Sequence, residues 1–350
     1  MTITVQHATR ENRADIEAIA QAHPRTLIYS SSSFTDFLSV ALRNPILTLI
    51  ARDGGKPSGF LHYAELQGPF GRVINSLPWY GTHGGCTCLP GASVHVRSAL
   101  LDEFKRLSAA EDVLSSCLVM SPLEEQFKDL YVKRLEPSVT DERIGMFCPL
   151  QANDDEQLAI MHQKTRNLVR KSLKLDLNVH SDDSLEAWNF LIATHTANLD
   201  ALGGAAKPRQ HFEALRATIP VSNRELLIAS RYGEPVAALL TLRFNETVEY
   251  LVPAVRAEHR QTQAMSRLIW EGMRRAAAAG YAWWNWGGTW KSQESLLRFK
   301  SRWGGDAMPY SYLINCSGES RRIIDREAPK VFSAHEYFYL YPRNALGDAG

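Results

Sequence analysis

Residues 46–66, ILTLIARDGGKPSGFLHYAEL, and residues 224–244, RELLIASRYGEPVAALLTLRF, are two versions of one pattern lying 224 − 46 = 178 positions apart in a chain of 350. At that offset Leu49, Ile50 and Ala51 fall on Leu227, Ile228 and Ala229, and Lys56-Pro57 falls on Glu234-Pro235. Each stretch reads as a strand, a glycine-containing turn and a second strand, which is an antiparallel hairpin. A repeat at half the chain length implies two copies of one folding unit. Around the first hairpin, apolar spacing predicts helices over 11–22, 34–42, 94–110 and 123–133, with strands near 73–77, 114–120 and 146–150. After the second come a strand over 248–253, a helix over 262–279, a strand at Trp283, a helix from about 292 and a strand over 310–315. Both halves thus read as α/β units with mixed, largely antiparallel sheets covered by helices. The expected division is 1–152, 153–318, and a tail, 319–350, whose Phe332, Tyr337, Phe338, Tyr339 and Tyr341 pack back on the body, onto the first domain. A cleft between tandem domains is the expected place for a substrate.

Composition excludes several classes. A formal net charge of +1 gives no global polyanion signal, so any nucleic-acid or nucleotide contact must be local. Five scattered cysteines, Cys86, Cys88, Cys117, Cys148 and Cys316, fit a reducing cytosol better than a disulfide framework. His83, Cys86, Cys88 and His95 have no metal-ligand spacing, so no metal is expected. The N-terminus carries charge where a signal peptide needs an apolar run, and no uninterrupted apolar stretch reaches the roughly 18 residues of a membrane span. The expectation is a cytoplasmic protein, monomeric or weakly dimeric. No Walker A loop, G-x-S-x-G elbow or G-x-G-x-x-G is present.

The densest chemistry lies in residues 283–305, WWNWGGTWKSQESLLRFKSRWGG. An aromatic strand stops at Gly287-Gly288, a helix follows with Leu296, Leu297 and Phe299 as its expected apolar face, and Gly304-Gly305 ends it. Lys300 falls in the last turn, where the helix dipole favours an ammonium. Asn-Trp-Gly-Gly, then Phe-Lys, then Trp-Gly-Gly resembles the C-terminal motif of the FemABX family and its acetyltransferase-like relatives. That resemblance implies two tandem GNAT-like domains and transfer of an aminoacyl or acyl group to an amine of a nucleotide- or lipid-linked envelope precursor, such as a peptidoglycan peptide or amino sugar. It places Lys300 at the transfer centre, opposite the oxyanion of a tetrahedral intermediate, with Phe299 helping to place it. Trp286, Gly287 and Gly288 belong to the same motif, and Tyr250 lies on the strand facing the cleft of a GNAT-like domain. Glu249 and Glu294 are the nearest candidates for a base.

Further pieces follow the same order. The segment SLPWYGTHGG resembles the family's first-domain loop, with Trp79 and Tyr80 to stack on a base or sugar and Gly84 and Gly85 to let backbone approach substrate. Lys207 and Arg209 stand where the family often carries a basic residue for a diphosphate. Residues 161–179 read as an amphipathic helix with Met161, Leu168 and Leu175 on one face and Lys164, Arg166, Arg170, Lys171 and Lys174 as donor-phosphate contacts. Phe127-Lys128 lacks a following Gly-Gly, so the first domain is expected to be a substrate-binding wall and the second to hold the one site. The loop expected to cradle a coenzyme A pyrophosphate begins at Arg260, but Gln263 and Met265 occupy its glycine positions. That favours aminoacyl-tRNA as co-substrate, with acyl-CoA as the alternative and no tightly bound cofactor. Two other readings stand beside this one, an acyl-CoA-dependent N-acetyltransferase of an envelope sugar and a catalytically dead binding module. A lipid-linked acceptor would add a peripheral membrane contact.

Overall fold

The computed structural model describes residues 2–79 and 83–342, and the chain divides into two compact units. One runs up to Arg143 and resumes at Pro309, and the other runs from Ile144 to Met308. In chain order the elements are β1 (Ile3–His7), α1 (Arg13–Gln21), α2 (Ser32–Leu42), β2 (Leu47–Asp53), β3 (Lys56–Gly68), β4 (Gly71–Asn75), β5 (Cys86–Cys88), α3 (Val94–Ser108), β6 (Val113–Val119), α4 (Lys128–Leu135) and β7 (Val139–Pro149). They continue with α5 (Asp154–Ile160), α6 (Gln163–Leu173), β8 (Asn178–Ser181), α7 (Leu185–Asp200), α8 (Arg209–Thr218), β9 (Arg224–Arg231), β10 (Glu234–Phe244), β11 (Thr247–Val255) and α9 (Ala264–Ala278). The last are β12 (Trp283–Asn285), β13 (Thr289–Trp290), α10 (Glu294–Ser301), β14 (Asp306–Asn315), α11 (Gly318–Arg326) and α12 (Ala328–Ala334).

The hairpins form where their turns dictate. Gly54-Gly55 joins β2 to β3 and Tyr232-Gly233 joins β9 to β10, all four residues at positive φ, as tight hairpin turns require. In the first unit the strands run β1-β2-β3-β4-β6-β14, with β5 beside β3; all pairs are antiparallel except β4 with β6. In the second they run β7-β12-β11-β10-β9-β8, and β11 with β12 is the one parallel pair. Each sheet therefore repeats the same plan, with one difference from expectation. The strand that closes each sheet comes from the other half of the sequence, so the second unit ends at Met308 rather than at 318, and the first loses its last residues to the second.

The tail is built into the first unit's core. Ile324, Val331, Phe338, Leu340 and Tyr341 are buried with Val73, Leu114 and Tyr310. Asn75 fixes its path, because its Nδ2 donates to Tyr339 O at 2.9 Å and its Oδ1 accepts from Tyr339 N at 2.6 Å. Both partners are backbone groups with no other use for a shielded side chain, so the amide matches them one to one. Asn75→Ala orphans both, at about 1–3 kcal/mol for each buried group. Urea unfolding should therefore show a loss of about 2–4 kcal/mol, and an unchanged midpoint would show that the tail is not held here.

Candidate active site

Lys300 is the only buried residue of α10, at 5% exposure, while Leu296 and Phe299 are each 37% exposed and Leu297 is half-buried. Of the expected apolar face, Leu297 packs against the core and Phe299 against Trp286, and the helix turns its lysine inward beside them. Lys300 Nζ donates to Thr289 Oγ1 at 2.7 Å and to the carbonyls of Gly287 at 3.3 Å and Gly288 at 3.4 Å. All three acceptors are neutral, and no carboxylate among the described residues offsets the charge. Burial pulls its pKa from 10.5 down to about 8. That corrects the dipole argument: a helix terminus contributes about 0.3–1 kcal/mol in favour of the cation, whereas a shift of this size opposes it by about 3 kcal/mol. Between those two pH values the native state binds fewer protons than the unfolded chain, so stability from this residue rises with pH across that window and is lowest below it.

The loop under Lys300 is held from its other side. Glu249 of β11 is 2% exposed, and its Oε2 accepts from Asn285 Nδ2 at 2.7 Å; Asn285 Oδ1 accepts from Gly287 N at 2.9 Å. Glu249 is thus the support for Asn285, and Glu294 stands exposed in the first turn of α10. Gly287 has φ +69, the left-handed turn that lets its carbonyl reach back to the lysine. Trp286 packs between Tyr250 at 4.9 Å, Trp303 at 5.7 Å and Phe299 at 5.8 Å between ring centroids. Burial pushes the Tyr250 hydroxyl pKa up, so it is a neutral donor at physiological pH. Beyond Glu249 and Asn285 the parallel strands part, and the edge of β11 from 250 to 255 has no strand partner among the described residues. Thr289, Asn285 and Trp303 were not singled out in the sequence, though all flank its glycine pairs.

Other expected residues lie elsewhere. Trp79 is 7% exposed and packs edge-on against Phe37 at 4.9 Å, so its ring belongs to the core and does not stack on a ligand. Tyr80 lies outside the described residues. Gly84 is required by packing, since a Cβ there would fall 2.1 Å from Ser76 Oγ, and Gly85, at φ +92, sits against the Tyr131 hydroxyl. Arg209, exposed at the start of α8, donates to Asn189 Oδ1 at 2.8 Å. The helices α7 and α8 cover the face of the second sheet opposite α9 and the Trp286 cluster, so Arg209 is not part of the packing around Lys300. Burial lowers the pKa of Lys207 to about 8. Of the expected heptad, Met161 is in the core and Leu175 packs against it, whereas Leu168 is exposed; within α6 the buried stripe is Thr165, Val169 and Ser172. Lys164, Arg170, Lys171 and Lys174 are exposed and Arg166 half-buried. Arg260 is exposed just before α9. Gln263, in a position expected to need glycine, adopts φ +58 and ψ +28 regardless, so the turn into α9 has the glycine-like backbone without the glycine.

The first unit shows what a copy without this arrangement looks like. Lys128, the counterpart in its Phe-Lys step, is partly exposed and pairs with Glu142 at 2.9 Å. The Tyr131 hydroxyl accepts from Cys86 N at 2.8 Å and donates to Glu124 Oε2 at 2.5 Å, so this amide of β5 is satisfied internally. Arg97 completes that cluster through Glu124 at 2.7 Å and over the Phe127 ring at 3.7 Å.

Residues 158–301 match the family model described as an acetyltransferase (GNAT) domain. The match lies within the second unit. Among solved structures the chain is similar to FemX, at 14% identity and TM-score 0.71 over 92% of this chain and 99% of that one. It is also similar to the C-terminal domain of a putative lysylphosphatidylglycerol synthetase from Agrobacterium fabrum (10% identity, TM-score 0.59, 95% and 98% covered). A tandem GNAT protein from the clavulanic acid pathway shares 10% identity, with TM-score 0.55 and 89% and 97% covered. Among curated proteins none matches significantly. The tandem GNAT fold expected from the duplication is the fold observed, and the chain is of the acyltransferase class.

Two substitutions probe the site without substrate. Thr289→Val removes the shortest acceptor of Lys300 at nearly constant volume, so NMR titration of the Lys300 Nζ should give a pKa below about 8; an unmoved value would show that the hydroxyl does not hold the charge. Gly304→Ala places a Cβ 2.9 Å from Ile160 Cγ1 at φ +90 and should destabilise by about 1–3 kcal/mol in thermal unfolding, an effect absent if the turn can relax.

Proposed function

We propose that this protein transfers an acyl or aminoacyl group to a primary amine of an envelope precursor carried on a nucleotide or a lipid, with the chemistry in the second unit at Lys300. The observation that carries this reading is a buried lysine held only by neutral groups, beside the open edge of β11. A cation kept unneutralised in a dry site is costly to the fold and most effective on a charge that appears only in the transition state. The amine nitrogen attacks the acyl carbon, the C–S or C–O bond to the donor breaks, and the amine proton leaves through water. Lys300 stabilises the oxyanion between those events, and Tyr250, neutral and beside Trp286, supplies a proton to the leaving group. Trp286, Gly287 and Gly288 form the wall on which the acyl group lies, and Phe299 closes its exposed side.

For the donor, the GNAT domain match and the left-handed turn at Gln263 support acyl-CoA, with the free amides of the first turn of α9 and Arg260 available to its pyrophosphate. A second reading, aminoacyl-tRNA, rests on the FemABX resemblance and on the cations of α6. Assays with each as sole donor separate them, since only the second is abolished by ribonuclease. The FemABX resemblance and the fold shared with FemX and the synthetase domain support an envelope acceptor.

Lys300→Met should lower kcat by about a hundredfold or more, the effect of removing one oxyanion donor, with folding retained. In the parent enzyme, kcat/KM should fall as pH rises through about 8, where Lys300 loses its charge. Undiminished transfer by the variant, or an alkaline limb near the ordinary lysine value of 10.5, would remove Lys300 from the reaction.

A further inference from the structure

We propose that the face made by α6 and α10 docks on an anionic lipid bilayer. From Gln157 to Leu175 the chain contains five Lys or Arg residues and no carboxylate. On α9 two arginines are paired, Arg274 with Asp154 at 2.7 Å and Arg275 with Glu271 at 3.1 Å. None of Lys164, Arg166, Arg170, Lys171 and Lys174 has an acidic partner among the described residues. A solvated helix surface ordinarily mixes both signs, because like charges at helical spacing repel; a face of one sign is held for an external anion. The nearest carboxylates in sequence are Glu156, in the first turn of α5, and Asp176, beyond the end of α6, while Glu294 begins α10.

The apolar groups decide which anion. Leu168 and Leu173, on either flank of the buried stripe of α6, are 40% and 45% exposed. On α10, Leu296 and Phe299 are exposed, and Ile160, also exposed, meets the backbone at Gly304 just past that helix. The two helices adjoin, since His162 N, at the cap of α6, donates to Arg302 O at 2.9 Å. A phosphodiester backbone offers nothing to aliphatic side chains, whereas the headgroup region of a bilayer takes cations and apolar groups together. A net charge of only +1 for the whole chain keeps the attraction local to this face. Bilayer docking competes with the aminoacyl-tRNA reading for the cations of α6 and is independent of acyl-CoA as donor.

The test is flotation of the full chain with vesicles of phosphatidylcholine alone and of phosphatidylcholine mixed with phosphatidylglycerol. Binding is expected to the mixed vesicles only and to weaken with salt. Each cation removed should weaken it about fivefold, so the double variant Arg170→Ala, Lys171→Ala should lose more than tenfold. Leu173→Ser should weaken binding while leaving its salt dependence in place. All three positions are exposed, so thermal unfolding of the variants should match the parent. Equal binding to neutral vesicles, retention by the double variant, or binding of bulk tRNA but not of vesicles, would overturn the proposal.

Discussion

Everything in the second unit near residue 300 follows from placing an ammonium where water cannot reach it and supplying no anion. The shift of its pKa to about 8 measures how unwelcome the charge is. A structure bears such a cost only when the rest of the site is rigid enough to prevent escape. Here the rigidity comes from both sides: Glu249 and Asn285 pin the Gly287 loop, and Trp286 and Trp303 pack against Phe299 of the lysine's own helix. A carboxylate beside Lys300 would relieve the strain and cancel the field. Its absence is what connects the packing to the chemistry.

The two copies of the fold have resolved the same geometric problem in opposite ways. Both contain one parallel strand pair whose members part at their ends. In the first unit Tyr131, Glu124 and Arg97 satisfy an amide of β5 from within. In the second the edge of β11 stays open and the Phe-Lys lysine turns inward instead of pairing with a surface acid, as Lys128 does. A cavity of about 400 Å³ nonetheless lies against the first unit's cluster, lined in part by Cys86, Arg97, Glu124 and Phe127.

Much of the fold was legible because local signals agree with the tertiary outcome. The turns at Gly54-Gly55 and Tyr232-Gly233 set the hairpins, and β3 and β10 begin at Lys56 and Glu234, 234 − 56 = 178 residues apart, the offset of the repeat. What could not be read were features that depend on the partner surface. Strands β7 and β14 carry no mark of which sheet they complete. Met161 and Leu175 of the heptad do pack on the core, but Leu168 between them is exposed, because within α6 Thr165, Val169 and Ser172 are the residues turned inward. Trp79 looks like a ligand platform only until Phe34 and Phe37 are found against it. At the site, Lys300 stood out through its motif, but its burial depends on a loop and a helix meeting in space, which no spacing reveals.

The central claim is that the acyl donor lies against the open edge of β11 beside Lys300 and not against β5 in the first unit. Hydrogen–deuterium exchange with and without saturating donor, acetyl-CoA or aminoacyl-tRNA, tests it directly. The account predicts slowed exchange over 250–255, the first turn of α9 and 285–300, with 83–97 unchanged. Protection confined to 83–97 in the first unit would contradict it.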